Sequence, residues 1–390
     1  MAYASHVKNM RKVILLSIIL LSIFSFTTFA HAQNTGDGST SRVIKAQVTK
    51  VKSIGTETIA GTNTQSPTQD IMAKVVGSDE LTGSTFEIQN NDYFILKNGG
   101  VFYVTYTHNA DGAESYVPLE PDRTNVLIAF AVIFLLLLIF VGGWQGIRGL
   151  ATLAGSLVLI IYVLIPSLLH GFSPVLLSMG VASLIIIVGS YITHGFNKTT
   201  SSAVLGMIVT VIITGLLSWG AVHFGQLTGA ASEESTYLNT STNGTLDMAG
   251  LLLGGILIGL LGVLYDVAIG QAIAVEELFR ANSENSDIKV FSRAMRMGRE
   301  HIGALVNTLA IAYVGAALPL LLLFTSSYHE AIGVTLNREI FSTEILRTLV
   351  GSIGLILAVP ITTYVAVRLL RRVKFSKDQR EHSHSHSSGK

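Results

Sequence analysis

The sequence predicts a multi-pass α-helical membrane bundle preceded by a small all-β domain. Three observations carry that expectation. Only 13% of residues are charged against 49% hydrophobic, where soluble proteins average about 25% charged. Seven apolar segments lie at about 126–143, 150–169, 174–192, 202–224, 248–273, 302–324 and 345–369. Each is roughly as long as a helix must be to span the hydrocarbon core. Ahead of them, residues 33–122 are polar and carry short alternating runs separated by turn residues.

In chain order, residues 1–32 read as a secretory signal. Lys8, Arg11 and Lys12 give a basic start, Val13 to Phe26 an apolar core, and Ala30-His31-Ala32 a small-residue cleavage site. The 33–122 domain is then expected outside the cytoplasm. Its strands are VIKAQVTKV (43–51), IMAKVVG (71–77), STFEIQN (84–90) and GVFYVTYTH (100–108), rich in β-branched and aromatic residues. Asn98-Gly99-Gly100 predicts a hairpin turn between NDYFILK and VFYV. Residues 53–70 read as a long exposed loop. The whole is expected to be barrel- or sandwich-like, with Tyr93, Phe94, Phe102, Tyr103 and Tyr106 mostly in strand cores.

Residues 123–370 form the predicted seven-helix domain, because irregular backbone cannot face lipid. Basic residues set its orientation. Arg148, Lys198, the group Arg280, Lys289, Arg293, Arg296 and Arg299, and the tail cluster from Arg371 all fall in alternate connections. The connections between them hold almost none, apart from Arg338. The positive-inside rule therefore places the β domain outside and the polar, His-rich tail 371–390 in the cytoplasm. Arg347 lies inside the seventh segment, and Glu344 three residues earlier can pair with it.

One carboxylate, Asp266, interrupts the fifth segment within GVLYDVAIGQ (262–271). Gly255, Gly259, Gly262 and Gly270 share its helix face by the 3-and-4 spacing. Such a small-residue stripe lets helices approach, so this face is expected to pack on other helices. By depth, Asn307 and Thr308 of the sixth segment and Thr362 and Thr363 of the seventh lie level with Asp266. A charge at mid-membrane costs roughly 2.5–3.5 kcal/mol on insertion scales. Two readings follow: an ion- or proton-coupled site on a substrate path, or a carboxyl bonded to Asn307 or Thr308 that locks helices together. Glu276, Glu277, Arg296, Arg299 and His301 cluster near the expected inner mouth.

Several chemistries are excluded. The chain has no cysteine, hence no disulfide or thiolate metal site. No second aspartate lies in a predicted helix to make a proteolytic dyad with Asp266. His329-Glu330 is not followed by the second histidine of a zinc protease, and no phosphate-binding P-loop occurs. A net charge of +1 offers no field for nucleic acid. His382, His384 and His386 in the tail would bind a metal only weakly and without selectivity. No enzyme activity, cofactor or metal centre is expected.

The runs GLLGVLYDVAIGQAIAVEEL and FSRAMRMGREHIGALVNTLAIAYVGAALPLLLL, with ELTGSTFEIQN, GGWQGIRGLATL and LRTLVGSIGLILAVPITTYVAV, resemble the YibE/F family of bacterial multi-pass membrane proteins. The resemblance covers about 40–370 and implies an exported β domain on a helical bundle in the bacterial cytoplasmic membrane. Similar proteins often carry Ser where this chain has Gly270. The family carries over no catalytic or binding residues. The functional expectation is a secondary permease or channel-like protein for a small solute or ion, with Asp266, Asn307, Thr308, Thr362 and Thr363 as its polar site. The alternative is a non-transporting scaffold or sensor, with a protein or envelope partner on the β domain or on the Arg-rich loop 276–300. The lipid bilayer is a partner in both.

Overall fold

The computed structural model describes residues 33–35, 39–58, 61, 65–77, 80–91, 94–282, 286–326, 331–371 and 373. The signal segment, Tyr93 and the tail from residue 374 onward, with its histidines, lie outside the described residues. Two compact units divide at Gly143.

The first unit holds one antiparallel sheet of six strands: β1 (Gln33–Thr35), β2 (Ser39–Thr58), β3 (Gln65–Val76), β4 (Thr85–Asn90), β5 (Val101–His108) and β6 (Glu114–Pro121). The order is β4-β3-β2-β5-β6, with β1 paired to β2 outside that path. Alternation does what the sequence promises: Ile44, Ala46 and Val48 of β2, Ile71, Ala73 and Val75 of β3, and Phe102 and Val104 of β5 are buried together. The sheet curls, so that its two end strands meet. Phe86 of β4 stacks on Tyr116 of β6 at 4.1 Å between ring centroids. The result is a half-barrel around a single apolar face.

Three expectations for this unit fail for definite reasons. Residues 53–70 are no loop, because β2 and β3 continue as a paired ribbon from Ser53↔Asp70 out to Thr58↔Gln65. Their side chains are mostly polar, and backbone pairing needs no apolar alternation. The Asn98-Gly99-Gly100 turn exists, with Gly99 at φ 81°, but it does not join two paired strands. Both backbone groups of Leu96 are taken by the Gln69 side chain: Leu96 N–H donates to Oε1 at 2.7 Å and Nε2 donates to the Leu96 carbonyl at 3.0 Å. β5 pairs instead with β2 and β6. β6 (ESYVPLEP) was not expected from sequence, since its alternation is broken by Pro118 and two glutamates.

Helix α1 (Thr124–Leu159) follows, passing through a π turn at Ile160–Leu164 into α2 (Ile165–Leu169). It contains a non-helical residue, Gly143 (φ 52°, ψ −135°). The expected connection at 144–149 is therefore helical, and the break between the first two apolar segments is this one glycine. Then come α3 (Pro174–His194), α4 (Lys198–Phe224), α5 (Glu233–Ser241), α6 (Met248–Ala281), α7 (Asp287–Ala316), α8 (Leu318–Ser326), α9 (Ile332–Asn337) and α10 (Glu339–Leu370). Caps start the long ones: Asn197 accepts from Thr200 N–H on α4, Asp247 from Gly250 N–H on α6 and Ser286 from Lys289 N–H on α7. The 225–247 connection is partly helical, since α5 opens with a Ser232/Ser235 capping box. Within the expected loop 276–300, residues 276–281 are the end of α6 and residues 287–300 the start of α7.

Among the described residues, five helices are long and apolar enough to cross a membrane, or six if α7 and α8, bent by 72°, form one span. The first two expected segments lie in one stretch, Thr124–Leu169, with the non-helical Gly143 inside it. Within the second unit the helices alternate in direction. Gly206 of α4 meets Thr362 of α10 and Thr214 meets Gly354, so these two are antiparallel. Gln271 of α6 bonds Thr363 and Leu260 lies at Gly354, so α6 and α10 are parallel. The core sits where α4, α6 and α10 pack, with Met207, Leu260, Leu264, Ala268, Leu355, Ala358 and Ala366 buried in one cluster.

The junction of β6 and α1 is tied by Asp122. Its carboxylate accepts from Thr124 N–H at 2.9 Å and from Lys45 Nζ at 2.9 Å. The Thr124 bond, with the Lys45 bond after it, holds Asp122 down at about 2, while Asp122 raises Lys45. A depressed carboxyl contributes stability above its unfolded value and loses it as pH falls toward 2. We expect the β unit of the wild type to lose stability between about pH 4 and pH 2, and Asp122→Asn to flatten that part of the profile. Hydrogen exchange of β5 and β6 in the full chain measures this.

Candidate functional site

Asp266 lies on α6 with Gly255, Gly259, Gly262 and Gly270, as the helical spacing requires, but this face is not the packed one. All five residues are exposed, while Leu257, Leu260, Leu264 and Ala268 on the opposite side are buried. A Cβ added at Gly255, Gly262 or Gly270 would meet nothing within 4 Å. Only Gly259 is close to a neighbour, the Tyr313 hydroxyl, 2.9 Å from where its Cβ would stand. The expectation that these glycines carry helix packing is corrected. The larger aliphatic residues of α6 contribute more burial, and they turn that side to the core.

The glycines that do permit close approach lie elsewhere. A Cβ at Gly206 would stand 2.6 Å from Thr362 Oγ1 and 2.9 Å from its Cα. One at Gly354 would stand 2.6 Å from Thr214 Oγ1, and one at Gly254 would collide with the Ser178 hydroxyl. Gly298 of α7 leaves room for Gln271 and Val359. The α10 stripe Gly351, Gly354, Ala358 and Thr362 is buried, as its spacing suggests.

The open α6 face leads into a cavity of about 300 Å³ lined by Asp266, Gly270, Gln271, Met297, His301 and Ala304, among others. Of the expected site, Asp266 and His301 are brought together here. Thr363 joins indirectly: it is fully buried and donates to Gln271 Oε1 at 2.9 Å, besides bonding the Val359 carbonyl at 2.7 Å. Thr362 is also fully buried but faces Gly206 on α4 rather than the cavity. Asn307 and Thr308 are exposed on α7 and do not line the cavity, and Thr308 returns its hydroxyl to the Ala304 carbonyl at 2.9 Å. Rotation about the helix axis is not fixed by spacing alone, and it turns Asn307 away from the cavity.

Gln271 is the residue that sequence reasoning missed. It is 4% exposed, lines the cavity and links α6 to α10. The signal was available: a lone amide five residues past Asp266, in an otherwise apolar run, needs a partner in a low-dielectric interior. Beside the cavity, the Tyr265 hydroxyl donates to the Gly189 carbonyl at 3.4 Å, and its ring lies 5.8 Å from that of His194. Of the expected mouth charges, Glu276 accepts from Arg280 at 2.6 Å and from the Thr199 hydroxyl at 2.5 Å. Arg296 and Arg299 are exposed on α7. The Glu344–Arg347 pair forms at 3.0 Å. No group of three or more metal-binding side chains occurs among the described residues.

A second cavity, of about 420 Å³, opens at the other end of the same α6 face, lined by Gly255, Glu234, Thr343, Glu344 and Arg347 among others.

Packing separates the two kinds of glycine experimentally. Gly206→Ala should destabilise the helical unit by about 2 kcal/mol or more, through overpacking against Thr362 backbone. Gly262→Ala and Gly270→Ala should be neutral or stabilising by up to about 1 kcal/mol, since they gain helix propensity in open space. Thermal unfolding in detergent reads the contrast.

A protein-family model described as YibE/F-like protein matches residues 130–372, and the chain belongs to that family. Comparison with curated proteins and with solved structures returns no match. Family and apolar helices together make the chain a multi-pass membrane protein.

Proposed function

For this YibE/F-like membrane protein we propose a role as a secondary permease or channel-like protein, moving a small solute or ion past Asp266. The observation that supports it is the environment of Asp266. A carboxylate that only locked helices together would be packed against a polar partner. Asp266 instead opens into a cavity, on a helix face where Gly255, Gly262 and Gly270 have no neighbour within 4 Å of a Cβ position. Ionisable groups within spans normally face water-filled space or a translocated species, because facing lipid is costly. Gln271 and His301 supply further polar atoms on the same wall.

The accompanying topology is seven crossings. The break at Gly143 divides the 46-residue stretch Thr124–Leu169 into two lengths that can each cross a bilayer. The bent pair α7 and α8 makes one more span. In this reading the β unit is exported and the basic ends of α6, α7 and α10 face the cytoplasm of a bacterial cell, following the positive-inside rule. The β unit then captures or screens the solute, or meets an envelope partner. No enzymatic step and no cofactor belong to this reading.

The chain has no cysteine, so Asp266→Cys is a single-thiol reporter. In sealed vesicles a membrane-impermeant charged thiol reagent should label it from one side, with His301→Cys labelling from that same side. If neither thiol reacts in folded protein, the face is dry. The scaffold or sensor role, with the β unit as the binding module, then replaces transport.

A further inference from the structure

The permeation reading uses one side of α7, where Met297, His301 and Ala304 line the Asp266 cavity. It leaves the outward side unexplained. Lys289, Arg293, Arg296, Glu300 and Asn307 follow the 3-and-4 spacing of one helix face. All five are exposed, and Arg299 is exposed beside them. Val290, Ala294 and Gly298, on the opposite side, are buried. Among the described residues Lys289, Arg293, Arg296 and Arg299 make no ion pair, with Glu300 or with any other acid. Other cations of the helical unit do have partners. Arg280 pairs with Glu276, Arg347 with Glu344 and Arg371 with Asp287, while Arg148 and Arg368 lie over the rings of Trp144 and Tyr364. Helix stability does not ask for Lys289 in the first turn of α7, where a cation opposes the helix dipole.

The depth of this row is a second, independent observation. Between Arg347 and Arg368, residues 348–367 of α10 hold no charge. That is the length that crosses the hydrocarbon core, roughly 20 residues. α7 runs antiparallel to α10: Asp287 bonds Arg371 at 2.8 Å, just past the uncharged stretch, while Gly298 faces Val359, well inside it. The 9 positions from Val359 to Arg368 span roughly 13 Å along the helix axis. Arg296 and Arg299, flanking Gly298, therefore stand at a level where α10 is in hydrocarbon. Cations facing bare hydrocarbon are costly, and long basic side chains relieve the cost by reaching toward polar headgroups and thinning the bilayer locally. Further along the same face, past Asn307, Ile311 and Val314 are exposed and apolar. Along its length the face thus passes from cations through an amide to aliphatic side chains. That is the order of headgroup and acyl chain in a phospholipid.

We propose that the outward face of α7 binds an anionic phospholipid, with Arg293, Arg296 and Arg299 on its phosphate and its acyl chains along Ile311 and Val314. Guanidinium forks match phosphate oxygens. Four cations against the one carboxylate of Glu300 favour a headgroup of net negative charge over a zwitterionic one, whose own ammonium they repel. The inference goes beyond the permeation reading and does not depend on it: it needs only that the chain lies in a membrane, and it stands whether or not a solute passes Asp266.

Ser292 is exposed beside the row, so a full chain carrying Ser292→Cys and an environment-sensitive dye on that thiol reports on it. In detergent micelles this chain is titrated with phosphatidylglycerol or with phosphatidylcholine of the same acyl chains. Half-saturation should come at a concentration at least tenfold lower for phosphatidylglycerol. Arg293→Gln, Arg296→Gln and Arg299→Gln together should bring the two lipids within about twofold of each other. The three matching Lys replacements, which keep the charge, should retain at least a threefold preference. The preference of the chain with all its cations should also fall as salt rises, and that readout remains should the Gln variant fail to fold. Equal response to the two lipids before any cation is replaced, or a preference that salt does not weaken, overturns the proposal. A preference that survives the folded Gln variant places the anionic lipid elsewhere and overturns it too. If inorganic phosphate abolishes the lipid response, the row takes free anions rather than a lipid. If unlabelled Ser292→Cys chains in bilayers oxidise to disulfide-linked pairs whatever the lipid, a second copy covers the face and the lipid assignment falls.

Discussion

The crossing of α4 and α10 is the constraint on which the helical unit depends. Gly206 against Thr362 and Gly354 against Thr214 bring the two backbones so close that neither glycine has room for a methyl group. In a bilayer, helices gain little by excluding apolar surface from one another, and close packing of small residues has to supply the attraction. Once α4 and α10 are set, α6 lies alongside both, burying its Leu and Ile ridge. α7 is drawn in at Gly298, where the absent side chain admits Gln271 and Val359. The Gln271–Thr363 bond then fixes the rotation of α6 about its own axis. That rotation decides that Asp266 and its glycines face outward from the core into open space.

The division of labour on α6 follows from side-chain size. A helix has one set of positions to bury, and the bulkiest apolar side chains contribute most when buried. Glycine contributes nothing by burial unless another backbone needs the room. Gly254 belongs to the second kind, since it admits Ser178. Its neighbour Gly255 does not, although the two are adjacent in sequence. The half-barrel of the first unit obeys a similar economy, with one curled face around Phe102, Ile71 and Val104 and an amide, Gln69, satisfying the irregular segment that closes it.

Much of the fold was legible in the sequence. The change of character near residue 123, the strands at 43–51, 71–77, 84–90 and 100–108, the apolar helices and the Glu344–Arg347 pair all follow from local rules of period, composition and spacing. What misled was local in another sense. Polar side chains at 53–58 and 65–70 concealed a ribbon held mainly by backbone pairing. A single glycine, Gly143, gave a kink where a loop was expected. At the cavity, Asp266 of the expected polar site meets His301 of the expected mouth, Thr363 reaches it only through Gln271, which spacing does not single out, and Asn307 and Thr308 do not line it.

By itself, then, the sequence determined which segments are apolar, where a charge interrupts them and which residues share a helix face, because these depend only on composition and on the 3.6-residue period. It determined that Asp266 keeps company with glycines. Only the tertiary structure decided what that company is for. A stripe of glycines is equally suited to a tight helix contact and to an open groove, and the choice depends on which neighbour comes to lie over it. Here the α4–α10 crossing and the buried Leu ridge of α6 claimed the contacts, so Gly206 and Gly354 pack while Gly255, Gly262 and Gly270 stand open beside Asp266.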